Sequence, residues 1–174
     1  VIYYDGEAAL ALLRLHQIDN NKKWLQTVSL MFDKFINEEY WRYNDHWLGY
    51  CAYELVKFIP EEKYYKFGMM NVASNLDYIY HRETTFPTFL ETLIATYRLI
   101  QSAKKNNFEK LVSNTIDEEK LISTIHKRAN YERTGYFYPE IAMYFKYPQR
   151  LLGSFFIKHH GYRVRIDDIE HYLS

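Results

Sequence analysis

At 174 residues the chain is long enough for one domain with a buried core and short for two. Its 22 Lys and Arg balance 22 Asp and Glu, so no basic excess gathers phosphate backbones or anionic lipid; neither nucleic acid nor membrane is expected as a partner. A single cysteine, Cys51, excludes an intrachain disulfide, and no apolar run approaches the roughly 20 residues that span a bilayer. With no signal-peptide-like start the chain reads as cytoplasmic. Opening at Val1 and stopping in helix-like sequence at Ser174, it reads as a piece of a longer one. Aromatic residues are abundant (18 Tyr, 11 Phe, 3 Trp), and such rings suit both a core and the walls of a sugar cleft.

Glu7 to Ile18 is rich in Ala and Leu and predicts a helix that is apolar on most faces. Asp19-Asn20-Asn21 breaks it and caps a second helix, Lys22 to Asn37, whose stripe is Trp24, Leu25, Val28, Met31, Phe32, Phe35 and Ile36. Asp45 is placed to cap a third, His46 to Ile59. Pro60 opens a fourth that continues to about Tyr80. The fifth spans Pro87 to Ser102 and the sixth Ile116 to Arg133. From Tyr138 to Gly161 the pattern becomes irregular. Arg163 to Ile166 then alternates like a strand, and Asp167 or Asp168 caps a last helix, Ile169 to Ser174.

These segments repeat. Leu13-Arg14-Leu15, Tyr53-Glu54-Leu55 and Tyr97-Arg98-Leu99 share a helix-end pattern that returns about every 40 residues. The small residues Ala11, Cys51 and Ala95 precede them at a fixed distance and would let helices approach closely. Odd helices, apolar all round, should lie inside, and amphipathic even helices outside. The fold class expected is all-α: repeated antiparallel hairpins in one domain, forming part of an α/α toroid, with an irregular or short β-containing segment near 138–166.

In such an array the inner helices run the same way, so their starts meet at one rim. The residues gathered there would be Tyr3, Tyr4, Asp5 and Glu7; Asp45, His46 and Trp47; Arg82, Glu83, Thr84 and Thr85; and Arg163, Arg165, Asp167, Asp168 and His171. Capping alone accounts for an Asp at a helix start, and the macrodipole for acids in a first turn. The run Arg163-Val164-Arg165-Ile166-Asp167-Asp168 sets opposed charges around apolar residues and is expected to line a site. His159-His160 lacks further donors at ligand spacing, so no metal site is expected. No phosphate-binding Gly-rich loop, GxSxG, HExxH or CxxC occurs.

Tyr3-Tyr4-Asp5-Gly6-Glu7-Ala8-Ala9-Leu10-Ala11-Leu12-Leu13-Arg14-Leu15, followed by a polar turn and Lys23-Trp24-Leu25, resembles the helical hairpin of six-hairpin glycosidase-like proteins. Those proteins are (α/α)6 toroids. They include glycoside hydrolases, polysaccharide lyases and, in a closely similar barrel, N-acylglucosamine 2-epimerase-like isomerases. The resemblance covers roughly residues 3 to 105 and resumes weakly over 163–174. A full toroid has twelve helices and this chain supplies about seven, so a partial ring or an open arc is expected.

The resemblance implies a carbohydrate substrate and calls for no cofactor. In a hydrolase, two of Glu7, Asp45 and Asp167 would act as acid and as base or nucleophile. Arg82, Arg163 and Arg165 would hold anionic groups, and Tyr4 and Trp47 would stack on rings. In an isomerase, His46 and His171 would exchange a proton beside the sugar carbonyl. Outside enzymology the alternatives are a non-catalytic α-solenoid that binds peptides or proteins and a toroid that only binds glycans.

Overall fold

The computed structural model describes residues 2–173, with side chains described from Tyr4 onward. The chain is all-α: the described residues form helices and turns, with two isolated β-bridges. Ala- and Leu-rich sequence, which loses little rotamer freedom on winding, forms α1 (Ile2–Asp19). It starts earlier than expected, so Glu7 lies inside the helix rather than at its opening. Asn20 turns left-handed at φ 55 and ends α1 by bonding back to the His16 carbonyl at 2.9 Å. Asn21 then caps α2 (Lys22–Asn37) by accepting the Lys23 N–H at 3.0 Å. Val28, Phe32 and Phe35 of the expected stripe are buried.

A 3-10 turn at Tyr40–Tyr43, bounded by left-handed Glu39 and Asn44, leads into α3 (His46–Leu55). Asp45 caps α3 as expected, accepting the Leu48 N–H at 3.0 Å. The single helix expected from Pro60 to Tyr80 is two. The first, α4 (Glu62–Ala73), has Glu61 as its N-cap, so Pro60 precedes the helix rather than opening it. It stops at Ser74 and Asn75, and α5 (Leu76–His81) follows. Next come α6 (Thr88–Lys105), the unforeseen short α7 (Glu109–Thr115) and α8 (Glu118–Glu132), the last capped by Asp117.

α1, α3 and α6 lie side by side with α3 in the middle; α2 packs on α1, and α4 on α3 and α6. Gly68 of α4 makes the closest approach: a Cβ there would stand 2.9 Å from Ala52 Cβ and 2.4 Å from Leu99 Cδ2. Of the recurring small residues, Cys51 and Ala95 are buried between helices. Ala11 is exposed, because α1 ends the row among the described residues. Cys51 is a buried free thiol whose Sγ donates to the Gly6 carbonyl at 3.2 Å, and burial pushes its pKa up.

After α8 the chain is irregular, as expected, with one-turn helices α9 (Pro139–Ala142) and α10 (Pro148–Leu151) and bridges Tyr136–Phe155 and Ile157–Arg163. The strand-like run at Arg163 contributes only one of those bridges. The last helix, α11 (Ile166–Leu173), begins before the expected position, so Asp167 and Asp168 fall in its first turn rather than at its cap. Ser174, where that helix was expected to end, lies outside the described residues, as does the Tyr3 side chain.

This tail is tied to the loop before α6. Thr85 Oγ1 donates to the Phe156 carbonyl at 2.9 Å and accepts the Lys158 N–H at 3.0 Å. Tyr172 donates to the Thr85 carbonyl and stacks on Phe155 with centroids 4.1 Å apart. Arg128, fully buried, donates to the carbonyls of Arg82 and Thr84 and holds the other side of the loop. These contacts set α11 against the starts of α3 and α6.

Candidate active site

The site is built where α3, α6 and α11 meet. Asn71 donates to the Asp45 carbonyl at 2.8 Å, and Asn44 to the Asn71 carbonyl at 2.8 Å, which fixes the start of α3 against α4. Gly6 lets α1 press on the same turn: a Cβ at that position would stand 2.8 Å from Trp47 Cβ. His46, the first residue of α3, is thereby packed inward with its side chain 12% exposed. Its ring lies 5.3 Å from that of His171 at 78°, and Trp47 flanks both at 4.8 and 6.2 Å. Glu91, in the first turn of α6, joins them: its Oε2 is 3.0 Å from His171 Nδ1, and Tyr50 donates to its Oε1 at 3.0 Å. One donor atom from each of His46, Glu91 and His171 lies within 4.8 Å of the other two.

Burial is the main electrostatic force here. It pulls His46 down to about 4; His171 adds to the effect and the Glu91 carboxylate opposes it. His46 is therefore a neutral imidazole near pH 7, and its Nε2 is buried with no hydrogen-bond partner among the described residues. Burial also pushes Asp45 up to about 6 against the Leu48 and Trp47 N–H groups that stabilise its charge. Asp45 Oδ2 is 3.9 Å from His46 Nδ1, beyond hydrogen-bond reach, and with His46 neutral the two do not form an ion pair. Behind His171, burial pushes Glu132 up to about 8, with Arg128 pulling the other way.

A cleft of about 240 Å³ opens from this cluster along the row of inner helices. Leu10 and Arg14 of α1, Trp47, Tyr50 and Glu54 of α3, Glu91 and Arg98 of α6, and Glu170 and His171 of α11 line it. The inner helices are thus not apolar all round; each keeps a polar stripe on the face turned to the cleft. Glu54 is neutralised there by Arg14 at 3.3 Å and Lys57 at 2.8 Å. A second cavity of about 80 Å³ shares Tyr50, Glu91, Arg98 and His171 and reaches Glu132.

Comparison with protein-family models, curated proteins and solved structures finds no match. The site must therefore be read from its own chemistry.

Of the residues expected at the rim, His46, Trp47 and His171 come together, with Asp45 directly behind them. Glu7 is exposed on α1, near enough to raise the Asp45 pKa slightly. Tyr4 stands 68% exposed and is not part of the cleft wall. Arg82 is at the end of α5 with its guanidinium 6.0 Å from the Tyr78 ring. Asp167 is bound by Arg165, whose Nε donates to it at 2.8 Å, and Arg163 lies 3.7 Å from Asp168. Arg165 and Asp167 thus pair at the surface, while Asp168 is buried with its Oδ2 lacking a hydrogen-bond partner among the described residues; none of the run lines the cleft.

Sequence reasoning missed Glu91, Tyr50, Arg14, Arg98, Glu54 and Glu170. A signal was available. Trp47, Tyr50 and Glu54 recur at i, i+3 and i+7, as do Arg98 and Glu91 seven residues apart, so each inner helix carries a polar stripe at helical period.

Proposed function

We propose that the chain is a carbohydrate-active domain on an arc of an α/α toroid, and that it moves a proton at a sugar carbon, as an epimerase or isomerase does. The observation that carries this is the facing pair His46 and His171, with Glu91 against His171; His171 and Glu91 line the cleft and His46 lies directly behind them. Neutral His46 offers a buried, unoccupied Nε2 as the base that removes a proton beside a carbonyl. The electron pair left behind forms an enediolate, and His171 returns a proton. Glu91 holds the His171 ring in one orientation and offsets the charge of the imidazolium when it forms. Arg98 and Arg14 supply positive charge along the wall, and Trp47 and Tyr50 offer faces for a ring.

The cleft volume supports a small substrate, since it is below the roughly 300–1,000 Å³ usual for ligand sites. A hydrolase would need two carboxylates facing across the bond. Of the expected carboxylates, Asp45 is committed to a cap, Glu7 is exposed on α1 and Asp167 is paired with Arg165. Of those in the cleft, Glu54 is bound by Arg14 and Lys57, and Glu91 by Tyr50 and His171. Glu170 is thus left without such a second carboxylate, which weighs against that version.

The test is solvent-proton exchange. Aldoses, ketoses and N-acyl hexosamines are incubated with the protein in D2O and a chelator, and deuterium at the carbon beside the carbonyl is read by NMR. Incorporation that His171→Gln and His46→Gln abolish is expected. If glycosides are cleaved while no substrate exchanges its proton, the isomerase reading fails.

A further inference from the structure

We propose that His46, Glu91 and His171 form a binding site for a divalent transition-metal ion of the Zn2+ or Co2+ kind. Two imidazoles and one carboxylate converge from three helices, with one donor atom of each within 4.8 Å of the others. Three donors around a metal at about 2.0–2.1 Å stand roughly 3.3 Å apart, so the trio has to close by about 1.5 Å at most. His171 can supply that movement, because it sits on a helix of only eight residues and its side chain is partly exposed.

Three features prepare the site. His46 Nε2 is buried and unoccupied among the described residues, and its other ring nitrogen faces Asp45 Oδ2 at 3.9 Å. Asp45 is too far to hydrogen-bond the ring as it stands, and a shift of roughly 1 Å would bring it to where a carboxylate orients a metal-binding imidazole. Second, Glu91 Oε2 and His171 Nδ1 stand 3.0 Å apart, a carboxylate oxygen and a ring nitrogen close to the spacing of two donors on one metal ion. Third, Glu91 and His171 line the cleft, so an ion held between them and His46 would turn one coordination position toward it, for water or a sugar oxygen. The mixed nitrogen and oxygen set selects zinc-like ions over Mg2+ and Ca2+, which prefer oxygen alone.

This goes beyond the proton-transfer reading and does not rest on it. The same nitrogens cannot hold a metal and carry a proton at once, so the metal-loaded and metal-free proteins are alternative states of one cleft.

The experiment titrates chelator-treated protein with Co2+ and then Zn2+, reading the visible absorption of bound Co2+ and the binding isotherm without any sugar. One site per chain is expected, weakened at least tenfold in both His46→Gln and Glu91→Gln. His159→Gln, in the adjacent His159–His160 pair on the surface, should bind as the parent does. Far-UV circular dichroism of each variant separates lost ligands from lost fold. If Glu91→Gln unfolds, His171→Gln takes its place. No saturable uptake, or uptake that survives His46→Gln and disappears in His159→Gln, overturns the site. Since exchange is measured with chelator present and binding without substrate, failure of one does not imitate failure of the other.

Discussion

His171 Nδ1 stands 3.0 Å from Oε2 of Glu91, which ties a helix near the end of the described chain to the first turn of α6. Because Tyr50 holds the other carboxylate oxygen, Glu91 is fixed by two side chains from two different helices. That contact turns the His171 ring toward the start of α6.

Glu91→Gln is expected to leave substrate binding largely intact and to lower exchange turnover by about 10²–10⁴-fold, the range of a lost acid–base function. Glu91 is a positioning residue here, so the pH profile should change shape as well as height. A loss seen in KM alone, with an unchanged profile, would mean that Glu91 merely lines the wall.

Asp45→Asn keeps an oxygen for the Leu48 N–H and should change stability by less than about 1 kcal/mol, whereas Asp45→Ala should cost about 0.5–2 kcal/mol. Exchange should survive in Asp45→Asn. Urea denaturation and the D2O assay on the two variants check both halves, and abolished exchange in the Asn variant would make Asp45 catalytic.

Gly68→Ala should destabilise the protein by about 1–3 kcal/mol through overpacking. The new methyl meets Leu99, which can rotate away, and Ala52 Cβ at 2.9 Å, which cannot. The melting temperature reports it. An unchanged value would mean that α4 sits further from α3 than described.

Glu132 makes stability depend on pH. Its folded pKa, raised to about 8 from an ordinary 4.5, means that the folded state holds a proton which the unfolded state releases. The favourable contribution is complete below about pH 4.5 and is lost as pH climbs toward 8. Glu132→Gln removes this slope and should be more stable than the parent at pH 8 by roughly 1–3 kcal/mol. Denaturant midpoints at pH 5, 6.5 and 8 measure the difference.

Arg165→Ala and Asp167→Asn should each leave exchange within about twofold and stability within about 0.5 kcal/mol, since exposed pairs contribute little. A large loss of activity in either would return this charged run to the cleft.

Local sequence determined the helices and most of their boundaries. Ala and Leu wind α1, the side chains of Asn21, Asp45 and Asp117 cap the helices that follow, and the stripe of α2 buries Val28, Phe32 and Phe35. These are interactions within a few residues, and their periodicity is visible in the chain. His46 and Trp47 were legible for a related reason: they open α3, one of the inner helices whose starts an antiparallel row brings together, whereas His171 reaches the site from the last turn of α11. Which charged residues join them was not legible. Asp167 and Arg165 are neighbours that satisfy each other in place, whereas Glu91 had to be delivered to His171 by the loop that Thr85, Arg128 and Tyr172 hold. That loop is fixed by carbonyls bonding to side chains far away in sequence. No local pattern records such contacts, so tertiary structure alone decided that the site centres on His46, Glu91 and His171.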